Sequence, residues 1–326
     1  VACVDIDVGG ARRNIESLNS PIAQRLCESV YTTITEARER HHAEACLIFA
    51  STPAHVRLVV ESLGLGMHTL CVKPIAVDQA EFRTIIQAHS AQPDLVLVQG
   101  QNKRWNPAAV KMREWLRDDG GIGDMLGGEC RFWDRLDLRH EGRPDVLTEG
   151  LFFHAAAAHQ LDQLVASKGL PRYVTARVHG TRDEELGQVG VWGTAGGQAL
   201  LEYDNGASFS YTGTRAGHAA DQFVGWSGHW SFHGERGDIR RSSGRLQLFR
   251  KGEVVEDLRL RDIHDDLMED DRAQFDAFAE AIGTGSGREW LETTTLETWV
   301  LMEACNQSAR EATRVDVDSF RQDLMD

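Results

Sequence analysis

The sequence predicts an α/β protein in which a doubly wound parallel sheet is followed by an α+β domain with a large open, mostly antiparallel sheet. Two observations predict it. Up to about residue 118, short apolar runs alternate with stretches of helical periodicity; beyond Gly120-Gly121-Ile122-Gly123, long stretches alternate polar with apolar residues. Near-continuous apolar strands separated by helices belong to parallel sheets covered on both faces, whereas alternation marks antiparallel strands with one wet face. A chain of 326 residues has room for two cores, and the change of texture divides it into 1–124 and 125–326.

In the first part, strands are predicted at 1–6, 45–50, 68–72 and 94–99. Helices are predicted at about 54–65, 78–90 and 107–118, the last opened by Asn106-Pro107 as a cap followed by a first-turn proline. In the second part, strands are predicted at 125–136, 172–180, 188–194, 198–204, 207–213, 229–234 and 245–249, with Asp204-Asn205-Gly206 as a hairpin turn. Helices are predicted at about 150–168, 268–282 and 291–311. The acidic cluster Asp262, Asp265, Asp266, Glu269, Asp270 and Asp271 falls where a helix begins, and carboxylates there favour the helix dipole, a structural reading.

Lys and Arg number 35 against 50 Asp and Glu, a net charge of −15, with a pI near 5.3. Such a balance disfavours nucleic acid and anionic membranes as partners. No apolar run approaches the roughly 18 residues of a membrane span. The six cysteines, Cys3, Cys27, Cys46, Cys71, Cys130 and Cys305, are scattered without a C-x-x-C pair, which predicts reduced thiols in a cytoplasmic protein. Residues 1–7 already read as a strand, so a segment upstream of Val1 is expected.

Several residues stand where chemistry is possible. Asp5, at the end of the first strand, is placed to bond the hydroxyls of an adenosine ribose, and as a carboxylate it would repel a 2′-phosphate. No G-x-G-x-x-G turn accompanies it. Lys73 follows directly on the strand His68–Val72 and would project into the crevice at the carboxyl end of a parallel sheet; Pro74 allows a cis bond. The alternative for Lys73 is a solvated turn lysine. His159 and Asp162, three apart, share a helix face beside the small-residue run Ala155–Ala158, and read either as a proton-transfer pair or as a core histidine with a surface carboxylate. His154 is off that face. His229 and His233 lack a third ligand, so no metal site is expected. Trp133, Trp226 and Trp230 could stack on a sugar ring or simply pack. No G-x-S-x-G elbow or cysteine motif is present.

Taken in order, these pieces resemble the glucose-fructose oxidoreductase, inositol dehydrogenase and rhizopine-catabolism family (Gfo/Idh/MocA). The pieces are Val4-Asp5-Ile6-Asp7, Thr52-Pro53, the run Gly66 to Ala76 with Lys73-Pro74, and Arg104-Trp105-Asn106-Pro107. Gly121-Ile122-Gly123, the helix with His159 and Asp162, Gly234-Glu235-Arg236-Gly237, Phe275-Asp276-Ala277-Phe278 and the Trp299 helix complete them. The resemblance implies a Rossmann domain whose first strand and glycine-rich turn would precede Val1, then a domain whose open sheet pairs subunits into a homodimer or homotetramer. It implies hydride transfer between a nicotinamide cofactor and a hydroxyl-bearing carbon of a sugar, polyol or cyclitol. Lys73 and His159 would be catalytic. Asp5, Ile6, Thr52, Pro53, His55, Lys73 and Pro74 would hold the cofactor, NAD rather than NADP because of Asp5. Arg104, Trp105 and Asp162 would face the small, sugar-like substrate. The chain departs from the family pattern at Val72, where a Glu is usual, and at Ala155, where Asp or Asn is common. These departures favour the alternative of a non-catalytic dinucleotide- or sugar-sensing regulator of the same fold. A third possibility is another nicotinamide-dependent reaction, such as glycoside cleavage or imine reduction.

Overall fold

The computed structural model describes residues 1–18, 20–117, 121–135, 152–181, 193, 195–218, 226–242, 244–259 and 263–325. The first part holds five parallel strands, β1 (Cys3–Val4), β2 (Val30–Tyr31), β3 (Ala45–Ile48), β4 (His68–Val72) and β5 (Leu97–Gly100). Around them run α1 (Val8–Ser17), α2 (Pro21–Cys27), α3 (Ile34–His41), α4 (His55–Gly64), α5 (Gln79–Ser90) and α6 (Pro107–Arg117). Short polar side chains start these helices. The Asp7, Ser20, Thr33 and Asp78 side chains each accept a backbone N–H of the first turn, and Glu81 reaches back to Val77 N at 2.9 Å. Asn106 caps α6 as its position before Pro107 predicts, its Oδ1 accepting Ala108 N at 3.0 Å.

The parallel strands form two hydrogen-bonded groups, β1-β2 and β3-β4-β5. Among the described residues no strand bonds the free edge of β1 or of β3. Val4 and Ile6 beside the one, and Leu47 and Phe49 beside the other, are left exposed.

Among the described residues, the second part is a nine-stranded mixed sheet in the order β13-β12-β11-β10-β6-β9-β8-β7-β14. Its strands are β6 (Met125–Trp133), β7 (Tyr173–His179), β8 (Gly196–Glu202), β9 (Ser208–Thr214), β10 (His229–Gly234), β11 (Asp238–Ser242), β12 (Arg245–Arg250), β13 (Glu253–Arg259) and β14 (Val315–Asp316). All neighbours are antiparallel except β6 and β9. Gly206, at φ 83°, turns the chain between β8 and β9 at the expected place. The strand expected at 188–194 and the start of the helix at 150–168 lie largely outside the described residues. One face of the sheet, with Val174, Ala199, Leu201, Phe209, Tyr211, Trp230 and Phe232, is buried. The helices of this part are α7 (Phe152–Ala155), α8 (Ala158–Lys168), α9 (Ile263–Thr284), α10 (Gly287–Trp290), α11 (Glu297–Glu311) and α12 (Val317–Met325). α11 also reaches the parallel strands' helices: Trp299 stacks on Phe82 with centroids 4.1 Å apart and donates to Ala76 O. The main core therefore runs without a break from Ile48 to Leu324. All six cysteines are free thiols. Among the described residues no helix is long and apolar enough to cross a membrane.

Candidate active site

Three loops leave the carboxyl ends of β3, β4 and β5. The first is a tight turn at Thr52–Ala54, the second is Lys73-Pro74 with a cis peptide bond, and the third is Gln101 with a turn at Asn102–Trp105. Gly100 lets β5 approach β4 closely, since a Cβ there would meet Leu70 Cδ2 and Val72 Cα at 3.3 Å. Lys73 is half-buried, and its Nζ donates to Ala155 O at 2.8 Å. That carbonyl comes from a break in the helix expected at 150–168. α7 ends at Ala155, Ala156 N and Ala157 N both bond Phe152 O, and α8 starts afresh at Ala158. Ala155 to Ala158 are all buried, and their small side chains let the chain step sideways without a void.

Trp226 ties the two halves of this site together. Lys73 Nζ lies 5.6 Å from its ring centroid, and the His159 ring meets it edge-on at 5.5 Å. The His159 Nδ1 is buried with no hydrogen-bond partner among the described residues. Burial, then the positive charges of Lys73 and Lys103, hold the His159 pKa well below its ordinary value, so the imidazole is neutral at neutral pH. A cation and a neutral imidazole beside one aromatic face can, respectively, stabilise a developing oxyanion and accept a proton.

The other expected residues fall into three groups. Thr52 and Pro74 are buried beside Lys73's loop, and Pro53 is exposed. Thr52 Oγ1 has no partner among the described residues. His55 is also buried, but its ring is taken up by backbone, with Nδ1 2.7 Å from Pro74 O and Nε2 2.8 Å from Ala50 O. It holds the Lys73-Pro74 loop to the end of β3. Asp5 and Ile6 stand exposed at the end of β1, in the other parallel group, where Asp5 Oδ1 accepts Asp7 N.

Arg104, Trp105 and Asp162, expected to face the substrate crevice, each engage other side chains of the protein. Arg104 and Asp162 are buried and form a two-pronged ion pair: Nε donates to Oδ2 at 2.9 Å and Nη2 to Oδ1. Thr298 Oγ1 also donates to Asp162, and Thr293 O accepts from Arg104. Burial pushes the Asp162 carboxyl up, against the pull of Arg104. Trp105 stacks on Trp290 with centroids 5.6 Å apart. Sequence displays charge and aromaticity but not burial, and burial commits these groups to one another. His154, too, turns away, to Glu303 Oε2 at 3.0 Å.

Sequence reasoning did not single out Gln101 or Lys103. Gln101 is 1% exposed, and among the described residues neither of its amide atoms has a partner. Its place right after β5 was the available signal. Among the described residues no group of three His, Cys, Asp or Glu could hold a metal ion.

The profile of the Gfo/Idh/MocA oxidoreductase family's C-terminal alpha/beta domain matches residues 118–317. The chain belongs to this family. An inositol 2-dehydrogenase/D-chiro-inositol 3-dehydrogenase of Lactiplantibacillus plantarum is 25% identical over 163 residues, which is 49% of this chain and 42% of that relative. A trans-1,2-dihydrobenzene-1,2-diol dehydrogenase of Mus musculus is 26% identical over 217 residues, 65% of this chain and 59% of that one. The match thus takes in less than two thirds of either relative's length. Among solved structures, an oxidoreductase from Agrobacterium radiobacter in complex with NAD+, L-tartaric acid and magnesium superposes with a TM-score of 0.81. It covers 98% of this chain and 91% of that one at 18% identity, a likeness of fold. In this Gfo/Idh/MocA chain, then, the parallel strands and the mixed sheet are the two parts of the family fold.

Proposed function

We propose that the chain is an NAD-dependent dehydrogenase or reductase that moves a hydride between the nicotinamide and a hydroxyl-bearing carbon of a sugar, polyol or cyclitol. One observation carries the reading: Lys73, held by Ala155 O, and the neutral His159 meet at one indole, at the carboxyl end of the parallel sheet. A polar cofactor fits the same loops, because Thr52 Oγ1 and both Gln101 amide atoms are buried there without partners among the described residues, and such orphans want a ligand's polar groups. Lys73 would donate to the reacting oxygen and offset its growing charge, and His159 would take or return that oxygen's proton at a ring nitrogen. The nicotinamide supplies the hydride chemistry. Thr52, Pro53 and Pro74 would border the ring, with Asp5 and Ile6 at the adenosine end. Asp5 favours NAD over NADP. The same reading divides the chain at 124/125, places it in the cytoplasm, and has it self-associate through the open sheet.

The test is reduction of NAD+ by the full chain against a panel of polyols, cyclitols and aldoses, followed by absorbance of the reduced nicotinamide. Lys73→Met should lower kcat by about 10²–10³-fold, and His159→Gln by about 10²–10⁴-fold. NADP+ should bind more weakly than NAD+. Cofactor binding without turnover on any substrate would replace this reading with the sensing one, which Ala155 favours because its side chain can carry no proton.

A further inference from the structure

A second polar network reaches His159 from below. Lys103 Nζ donates to Asp270 Oδ2 at 2.7 Å, with side chains 2% and 0% exposed. Asn106 Nδ2 donates to Asp270 Oδ1 at 3.0 Å, and Arg241 Nη2 donates to Asn106 Oδ1 at 3.0 Å. Arg241 Nη1 then donates to Gln163 Oε1 at 3.1 Å, and Gln163 Nε2 donates to His159 O at 2.9 Å. All five members are buried. They link the turn after β5, α9, β11 and the first turn of α8, four segments far apart in sequence. Ion pairs placed this deep are hard to justify as stabilisers, since replacing them with apolar groups of equal volume is often neutral or better.

We propose that the Lys103–Asp270 ion pair is a positioning device for His159, fixing the first turn of α8 and setting the electrostatic field at the imidazole. Among the described residues, the charges that act on the ring are those of Lys73, from the β4 loop, and Lys103, from the turn after β5. Arg104 on that same turn is taken up by Asp162 on α8, and His154 on α7 by Glu303 on α11. Lys103 works against a proton on the imidazole, and Asp270, bound to Lys103, tempers that effect. The pair therefore has a sign that packing alone does not have. Without Lys103 the imidazole should gain basicity; without the Asp270 charge, the field of Lys103 acts unopposed and the imidazole should lose it.

The proposal rests on the reading of His159 as the proton carrier, but its test does not need turnover. The His159 ring is followed by nuclear magnetic resonance in the full chain between pH 8.5 and 4.5, assigned by its loss in His159→Gln. Lys103→Met should raise the titration midpoint by about half a unit or more, Asp270→Asn should lower it, and Lys103→Arg should leave it in place. If the wild-type midpoint lies below the accessible range, the rise in Lys103→Met decides. Upward shifts in both variants would mean only a loosened core and would overturn the proposal, as would no shift in either. The acid limb of the kcat/KM profile should follow the same signs. Shifts at His159 without any turnover would condemn the proposed function and leave the pair's role standing.

Discussion

Arg104 makes four hydrogen bonds from its guanidinium, two to Asp162, one to Thr293 O and one to Thr298, so little of it remains for a substrate. Its substitution should act on stability. Arg104→Met leaves the fully buried Asp162 carboxylate unpaired and should cost about 3–5 kcal/mol, whereas Arg104→Met with Asp162→Leu should recover most of that loss. Urea unfolding of the three proteins measures it; a double variant no more stable than the single one would contradict the account. The same contrast explains which residues of the candidate site were legible. Lys73 could be found because a strand end fixes where it points, and His159 because helix spacing fixes its face. Lys103 acquires meaning only from Asp270, 167 residues away, and no local pattern announces that partner. Arg104 and Asp162 were singled out as facing the substrate, but they pair with each other across 58 residues of sequence, and no local pattern displays that pairing.

At the scale of elements, two short motifs that looked unrelated in sequence are one joint. Arg236 N bonds Ile122 O at 2.8 Å and Glu235 N bonds Asp124 O at 3.1 Å, so the loop after β10 clasps the entry to β6. The clasp needs glycine twice. A Cβ on Gly234 would meet Ile122 O at 2.4 Å, and Gly123 sits at φ 75°, where an L side chain is strained. Gly234→Ala should therefore destabilise by about 1–3 kcal/mol, while Gly244→Ala, at positive φ like Gly123 but in open space, should cost less, about 1 kcal/mol. Thermal unfolding compares them, and equal losses would speak against the clasp. Periodicity gave β4 at its observed bounds and α4, α5 and α6 to within a residue or so, because each buries one face. It missed α1 and α2, whose fully buried apolar residues are few, and it missed β13, which is exposed along its whole length and so carries no alternation. It joined α7 to α8 because four consecutive alanines show no phase. The division into a parallel part and a mixed sheet survived these misses, since it depends on many segments at once.

For the whole molecule, buried histidines and buried carboxylates push the acid response in opposite directions. Burial lowers the pKa of His68, His89, His159, His179 and His229 in the folded state. The unfolded chain therefore takes up protons first, near the ordinary histidine value of about 6.5, and stability must fall as the pH drops through that value and on toward the lowered folded values. Asp162, Asp270 and Glu297 act the other way, because burial raises their carboxyls and a folded state that holds a proton more tightly gains stability as they protonate. They oppose the histidines only once they begin to protonate. The net charge of −15 also favours acid, by easing repulsion, but it is spread over the surface and salt screens it. In about 0.3 M salt, where the screening length is well under 10 Å, Tm should therefore fall steadily from pH 7.5 to 6. His89 supplies the control. It is 3% exposed with Nε2 2.8 Å from Leu95 O, so His89→Gln, which keeps a donor but cannot titrate, should flatten the slope while lowering Tm at every pH. A Tm that holds or rises between pH 7.5 and 6 would show that surface repulsion, rather than these buried imidazoles, governs the acid response.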